Sequence, residues 1–137
     1  MRKKLLFFNL ILAFIVSFLN KLALDNFLYW KFWWYDIMMH FLGGLVIGAI
    51  ALWAFYFFDY FKNLNKSFLN IVFISVSVVL IIGVGWEIFE VLVDPGYFRE
   101  GYVFDTILDL IMDTLGAIIG GVIYYKFLNS KNNYAKI

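Results

Sequence analysis

The sequence contains no cysteine, one histidine and one proline, and only 15% of its 137 residues are charged. The lack of cysteine excludes disulfides and thiolate chemistry. No basic stretch is long enough to indicate nucleic-acid binding. In place of charge, the chain is 64% hydrophobic and 23% aromatic. Because a soluble domain of this length keeps much of its surface in water, this composition indicates an integral membrane protein.

Four apolar stretches are long enough to cross a membrane, which takes about 20 helical residues. They cover residues 5–24, 36–58, 68–93 and 105–127. The first stretch follows a short basic start and is interpreted as a retained signal anchor rather than a cleaved signal peptide. The sequence therefore predicts an all-α, polytopic membrane protein, with a single transmembrane domain over residues 1–137 folded as a compact four-helix bundle.

Lysine and arginine predict the orientation of the bundle, because they are enriched in cytoplasmic loops. With the N-terminus inside, only Lys21, Lys31 and Arg99 of the 11 basic residues lie on the outer side. We therefore expect a multi-pass protein of the cell (inner) membrane with both termini in the cytoplasm. The aromatic-rich segment at residues 22–35 is expected to lie along the outer surface. It would act as an interfacial anchor or as a lip that guides lipid to a site.

Acidic side chains and the histidine enter the apolar stretches in three sets with steps of three or four residues: Asp36 and His40; Glu87 and Glu90; Asp105, Asp109 and Asp113. Such steps place each set on one face of a helix. The alternation of the spans brings all seven side chains to the outer half of the membrane. Since lipid cannot solvate them, we expect them to face inward around a polar cavity. Glycines at the same spacing, Gly44 with Gly48 and Gly116 with Gly120, predict close helix packing beneath it.

The cavity lacks a compensating cation, since these stripes contain no lysine or arginine. Burying even five unpaired carboxylates would cost on the order of 10–15 kcal/mol, which rivals the stability of a whole domain. Either several acids are protonated or a cation is bound. Carboxylates with one imidazole suit a divalent metal ion, with Mg²⁺, Mn²⁺, Zn²⁺ and non-haem iron all open. The predicted ligands are His40, Glu87, Asp109 and Asp113, then Asp36, Glu90 and Asp105, of which Asp36 and Asp105 also suit a helix N-cap.

The ordered set of motifs resembles that of the small VanZ-like and YjdF-like membrane proteins of bacteria and archaea. The motifs are Asp36-x₃-His40 with glycines after it, Gly85-Trp86-Glu87-x₂-Glu90, and the aspartates and glycines from Asp105 to Gly120. VanZ-like proteins often carry lysine where Ile37 stands and tend to have asparagine where Asp113 stands, so the YjdF-like group is favoured. The resemblance implies an inner-membrane protein of four or more helices that is linked to the cell envelope.

We expect a metal-dependent membrane enzyme, a hydrolase or transferase that acts on a lipid or lipid-phosphate headgroup. The metal would activate water or neutralise phosphate charge, and Glu87 or His40 would be the general base. Two alternatives stay open. An ion- or proton-coupled small transporter would use the carboxylates as carriers, and a homodimer would supply its missing half. A non-enzymatic, VanZ-like envelope protein would bind a lipid or an antibiotic target and hold a structural cation.

Overall fold

The computed structural model describes residues 2–57, 65–93 and 101–134. Within these ranges the chain forms five helices and no strand: α1 (Arg2–Asn26), α2 (Leu28–Lys31), α3 (Trp33–Phe57), α4 (Phe68–Val93) and α5 (Tyr102–Tyr134). Four segments are long and apolar enough to cross a membrane, namely Lys3–Asn26, Trp33–Phe57, Phe68–Val93 and Tyr102–Leu128. The prediction of an all-α protein with four membrane-spanning helices is confirmed.

The segment between the first two spans forms a short helix with a sharp turn before it. Phe27 joins α1 to α2 with a left-handed backbone, at φ 57°, a conformation that costs a residue with a side chain about 1–2 kcal/mol. The aromatic side chains that follow are exposed, Trp30 by 73% and Trp33 by 80%. Such exposure is typical of an anchor at a membrane interface.

Helix α3 occupies the centre of the bundle. It packs chiefly against α5, and it also contacts α4 and α1. The start of α3, the end of α4 and the start of α5 meet at one end of the bundle, here called the acidic end. At the opposite end, a buried apolar cluster includes Leu52, Ile71 and Tyr124. Helices α3 and α5 therefore run in the same direction, and α4 runs in the opposite direction.

A row of four glycines, here called the glycine seam, lies between α3 and α5: Gly44, Gly48, Gly116 and Gly120. A Cβ atom on Gly44 would overlap the carbonyl group of Asp113, and one on Gly116 would overlap the carbonyl of Phe41. The two backbones are thus in direct contact. Because lipid tails are as apolar as leucine, this close packing of small residues is a main source of helix association in a membrane.

Buried polar side chains attach the other two spans to this pair. Ser75 on α4 donates a hydrogen bond of 2.9 Å from Oγ to the carbonyl of Ala117. Asn9 on α1 donates one of 3.2 Å from Nδ2 to the carbonyl of Ala49. Interhelical hydrogen bonds in membranes contribute about 0.6 kcal/mol on average. They therefore select the orientation of α1 and α4 more than they add stability.

The glycine seam generates a test with a neighbouring control. We expect Gly44→Ala to lose about 1–3 kcal/mol, the usual cost of overpacking, because the new methyl group meets backbone that cannot rotate away. Gly43→Ala has open space at its Cβ and should be neutral or slightly stabilising, because alanine has the higher helix propensity. Thermal unfolding in detergent measures both variants. Equal melting temperatures for the two would show that the seam is not a close contact.

Candidate functional site

Asp36 and His40 on α3 and Asp109 on α5 form the centre of the acidic end. His40 Nε2 lies 3.8 Å from Asp36 Oδ1 and 3.9 Å from Asp109 Oδ1. One ligating atom from each residue lies within 4.8 Å of the other two. Both distances from Nε2 are too long for a hydrogen bond. The imidazole is therefore close to both carboxylates without a hydrogen bond from Nε2 to either, and the three side chains are here called the Asp–His–Asp cluster.

Asp113 lies on the other side of the imidazole. Its Oδ1 is 3.5 Å from His40 Nδ1, and a Cβ atom on Gly83 would lie only 2.7 Å from its Oδ2. The carboxylate is therefore held between α3 and α4 by close packing. A carboxylate in this place favours a proton on Nδ1 and leaves the lone pair on Nε2, directed at the Asp–His–Asp cluster. The same arrangement orients metal-binding histidines in many proteins.

Asp109 is the most buried carboxylate of the site, with only 2% of its surface exposed. Its Oδ1 has no hydrogen-bond donor within the described part of the chain. A buried carboxylate without a partner is strongly unfavourable unless a cation or a proton compensates it. The sequence offers no lysine or arginine in residues 32–57, 68–93 or 102–125. Asp109 therefore needs a proton or a nearby positive charge, and a protonated His40 or a bound cation would supply it.

Glu87 lies on α4 and is not one of the three cluster residues. Its Oε2 accepts a hydrogen bond of 2.7 Å from Thr106 Oγ1. Its Oε1 is buried and has no donor among the described residues. Electrostatic interactions connect Glu87 with Asp36 and Asp109. Glu87 is therefore a neighbour of the Asp–His–Asp cluster with a partner of its own.

The remaining two predicted residues lie at the edge of the site. Asp105 is exposed in the first turn of α5, where a negative charge is favoured by the helix dipole. Glu90 is half-buried near the end of α4 and interacts electrostatically with Tyr29. The structure therefore brings His40, Asp36 and Asp109 together, with Asp113 and Glu87 next to them. It places Asp105 at the surface and Glu90 beside Tyr29.

Two uncharged side chains at the site are absent from the sequence prediction, Thr106 and Tyr29. The Tyr29 hydroxyl donates a hydrogen bond of 2.6 Å to Asn20 Oδ1. Burial, together with the negative charge of Asp36, raises the pKa of Tyr29 to about 12. Tyr29 is therefore a neutral hydrogen-bond donor next to the acids. A search for hydroxyl groups next to the acidic stripes would have found Thr106, which directly follows Asp105.

The fold and the site define the class of the protein: an all-helical membrane protein with histidine and carboxylates clustered near one end of its bundle. Residues 2–130 match the family described as predicted membrane protein (DUF2238), and the chain belongs to that family. No curated protein sequence and no solved structure gives a significant match to the chain.

Proposed function

We propose that the protein binds a divalent metal ion at the Asp–His–Asp cluster and acts on the phosphate or polar headgroup of a membrane lipid. One observation carries the proposal. A buried Asp109 oxygen without a donor faces His40 Nε2, while Asp113 already faces Nδ1. Two carboxylates and one imidazole form a donor set suited to Zn²⁺, Mn²⁺ or Fe²⁺.

Two of the three ligand separations in the cluster suit an ion of this kind. Two ligands bound at about 2.0–2.2 Å can lie no more than about 4.4 Å apart. The separations of 3.8 and 3.9 Å from His40 Nε2 fall below this limit. Three protein ligands would leave one or more positions for water or a phosphate oxygen, as in catalytic rather than structural metal sites.

The chain's own residues would divide the chemistry between them. The ion, when bound, would polarise a phosphoryl oxygen or lower the pKa of a bound water molecule. Asp113 would hold His40 in the ligating form, which makes His40 less suited to be the general base. Glu87, with one oxygen free of donors among the described residues, would accept or return the proton.

The setting of the site in the cell is part of the proposal. The bias of lysine and arginine supports cytoplasmic termini and an acidic end that faces outward from the inner membrane, although Arg99 lies outside the described residues. The ordered motifs support a relation to the VanZ-like and YjdF-like groups and a role in the cell envelope. If an ion is bound but no lipid is turned over, the same site would serve a lipid-binding envelope protein or an ion-coupled carrier.

Metal binding is tested by thermal unfolding of the purified protein after chelation, with Mn²⁺, Zn²⁺, Mg²⁺ or Fe²⁺ then added. We expect at least one ion to raise the melting temperature, since a ligand at 100 times its Kd stabilises by about 2.7 kcal/mol. Asp109→Asn should abolish this response. It should also unfold at a higher temperature than the unchanged protein in chelator, because a buried charge is removed.

Asp105→Asn is the matched control, because it makes the same change at an exposed position on the same helix. It should keep the metal response. Elemental analysis should find a stoichiometric divalent ion in the unchanged protein and in Asp105→Asn. A protein without such an ion, or an equal response in Asp109→Asn, would contradict the proposed site.

Catalysis is tested with lipid phosphates in proteoliposomes, by the release of inorganic phosphate. Glu87→Gln should reduce turnover about 100-fold or more, the usual contribution of a general base, while the metal response and the fold are retained. Glu90→Gln changes a half-buried carboxylate one turn further along α4 and should have a much smaller effect. Full activity in Glu87→Gln would remove its catalytic assignment.

A further inference from the structure

Asp113 on α5 contacts both neighbouring helices, each through a different part of the residue. Its backbone lies against α3, where a Cβ atom on Gly44 would lie 2.8 Å from Asp113 Cα. Its carboxylate lies against α4, where a Cβ atom on Gly83 would lie 2.7 Å from Oδ2. The other oxygen, Oδ1, is 3.5 Å from His40 Nδ1. Only 7% of the residue is exposed, so Asp113 is enclosed by the two glycines and the imidazole.

The position of the Asp113 carboxylate depends on the space beside it. The backbone of Asp113 cannot move toward α3, because the glycine seam already brings the two backbones into contact. The side chain is short and occupies one of a few staggered rotamers, so a displacement of Oδ2 also moves Oδ1. The contact between Oδ1 and His40 Nδ1 therefore depends on the space that Gly83 leaves on α4.

Gly83 makes room for side chains and does not bring two backbones together. The three nearest atoms that a Cβ on Gly83 would meet are Oδ2 and Cγ of Asp113 and, at 3.1 Å, Cδ2 of Leu110. A Cβ on Gly116, in contrast, would meet the backbone of Phe41 and Leu45. The leucine methyl group can turn away, whereas the carboxylate is enclosed. A side chain at position 83 would therefore displace the carboxylate.

We infer that Gly83 is a positioning residue of the candidate metal site: its lack of a side chain lets the Asp113 carboxylate lie between α4 and the imidazole, with Oδ1 opposite His40 Nδ1. Gly83 acts only through Asp113. A carboxylate that faces the second nitrogen of a ligating histidine orients the ring and raises its basicity. Gly83 thus connects the packing of α4 with a ligand that lies on α3.

The effect of Gly83 on metal affinity rests on the proposed function, whereas its effect on the contact between Asp113 and His40 does not. Loss of the partner of a ligating histidine typically weakens metal binding about 10–100-fold, and a displaced Asp113 should have an effect of this order. A glycine that served only helix packing would alter the stability of the bundle and leave the imidazole unchanged.

The contact is tested without metal by NMR of protein labelled with ¹⁵N-histidine, in detergent and chelator. Because the chain contains a single histidine, the spectrum of untagged protein reports His40 alone. We expect Gly83→Ala to shift the Nδ1 resonance. Gly85→Ala is the matched control, because it adds the same methyl group to the same helix at an exposed position with open space among the described residues. It should leave the resonance unchanged.

A double variant separates displacement of Asp113 from general damage to the bundle. Asp113→Ala removes the carboxylate, so adding Gly83→Ala to it should cause no further change in the Nδ1 resonance. The double variant should also melt at a higher temperature than Gly83→Ala alone, or fold where Gly83→Ala does not. An unchanged Nδ1 resonance in folded Gly83→Ala, or a double variant that is no more stable than Gly83→Ala, would overturn the inference.

Titration with Mn²⁺ separates this inference from the proposed function. Gly83→Ala should bind Mn²⁺ about 10–100-fold more weakly than the unchanged protein, and Gly85→Ala should bind it equally well. If the unchanged protein binds no Mn²⁺ while Gly83→Ala shifts the Nδ1 resonance, the proposed metal site fails and the positioning of Asp113 stands. If the unchanged protein binds Mn²⁺ and Gly83→Ala binds it equally well, the metal site stands and the role of Gly83 in it is wrong.

Discussion

The close contact of α3 and α5 along the glycine seam is the constraint on which the site depends. Gly44 touches the backbone carbonyl of Asp113. Asp113 therefore helps to set the distance between the helices and also carries a carboxylate of the site. The side chain of Asp113 then faces His40 Nδ1, and Asp109 lies one turn away on the same face of α5. Helix packing and the geometry of the Asp–His–Asp cluster are therefore set by the same contact.

The fold places the acidic side chains of the spans in different environments. Asp105 lies at the surface, Glu87 accepts a hydrogen bond from Thr106, and Asp113 faces one nitrogen of the only imidazole. What is left is the Asp–His–Asp cluster, where one buried Asp109 oxygen has no donor among the described residues. A bound cation or a protonated His40 at this place would offset part of the cost of burying these carboxylates.

Much of the fold follows from the sequence because a segment that crosses lipid must be long, apolar and helical. Length and hydropathy indicate four helices, and steps of three or four residues assign Asp36 and His40 to one face. The sequence does not reveal how carboxylates from different helices pair, since this depends on the register of α3 and α5 to within a residue. Thr106 was missed because it carries no charge, and the left-handed turn at Phe27 was missed because no glycine marks it.

The central claim is that a divalent ion binds to His40 Nε2, and pulsed electron paramagnetic resonance of the Mn²⁺-loaded protein tests it most directly. The chain contains a single histidine, so in protein without an affinity tag any histidine nitrogen coupling belongs to His40. The account predicts a nitrogen coupling to Mn²⁺ that changes when the protein is labelled with ¹⁵N-histidine. Bound Mn²⁺ with couplings to water and no nitrogen would contradict it.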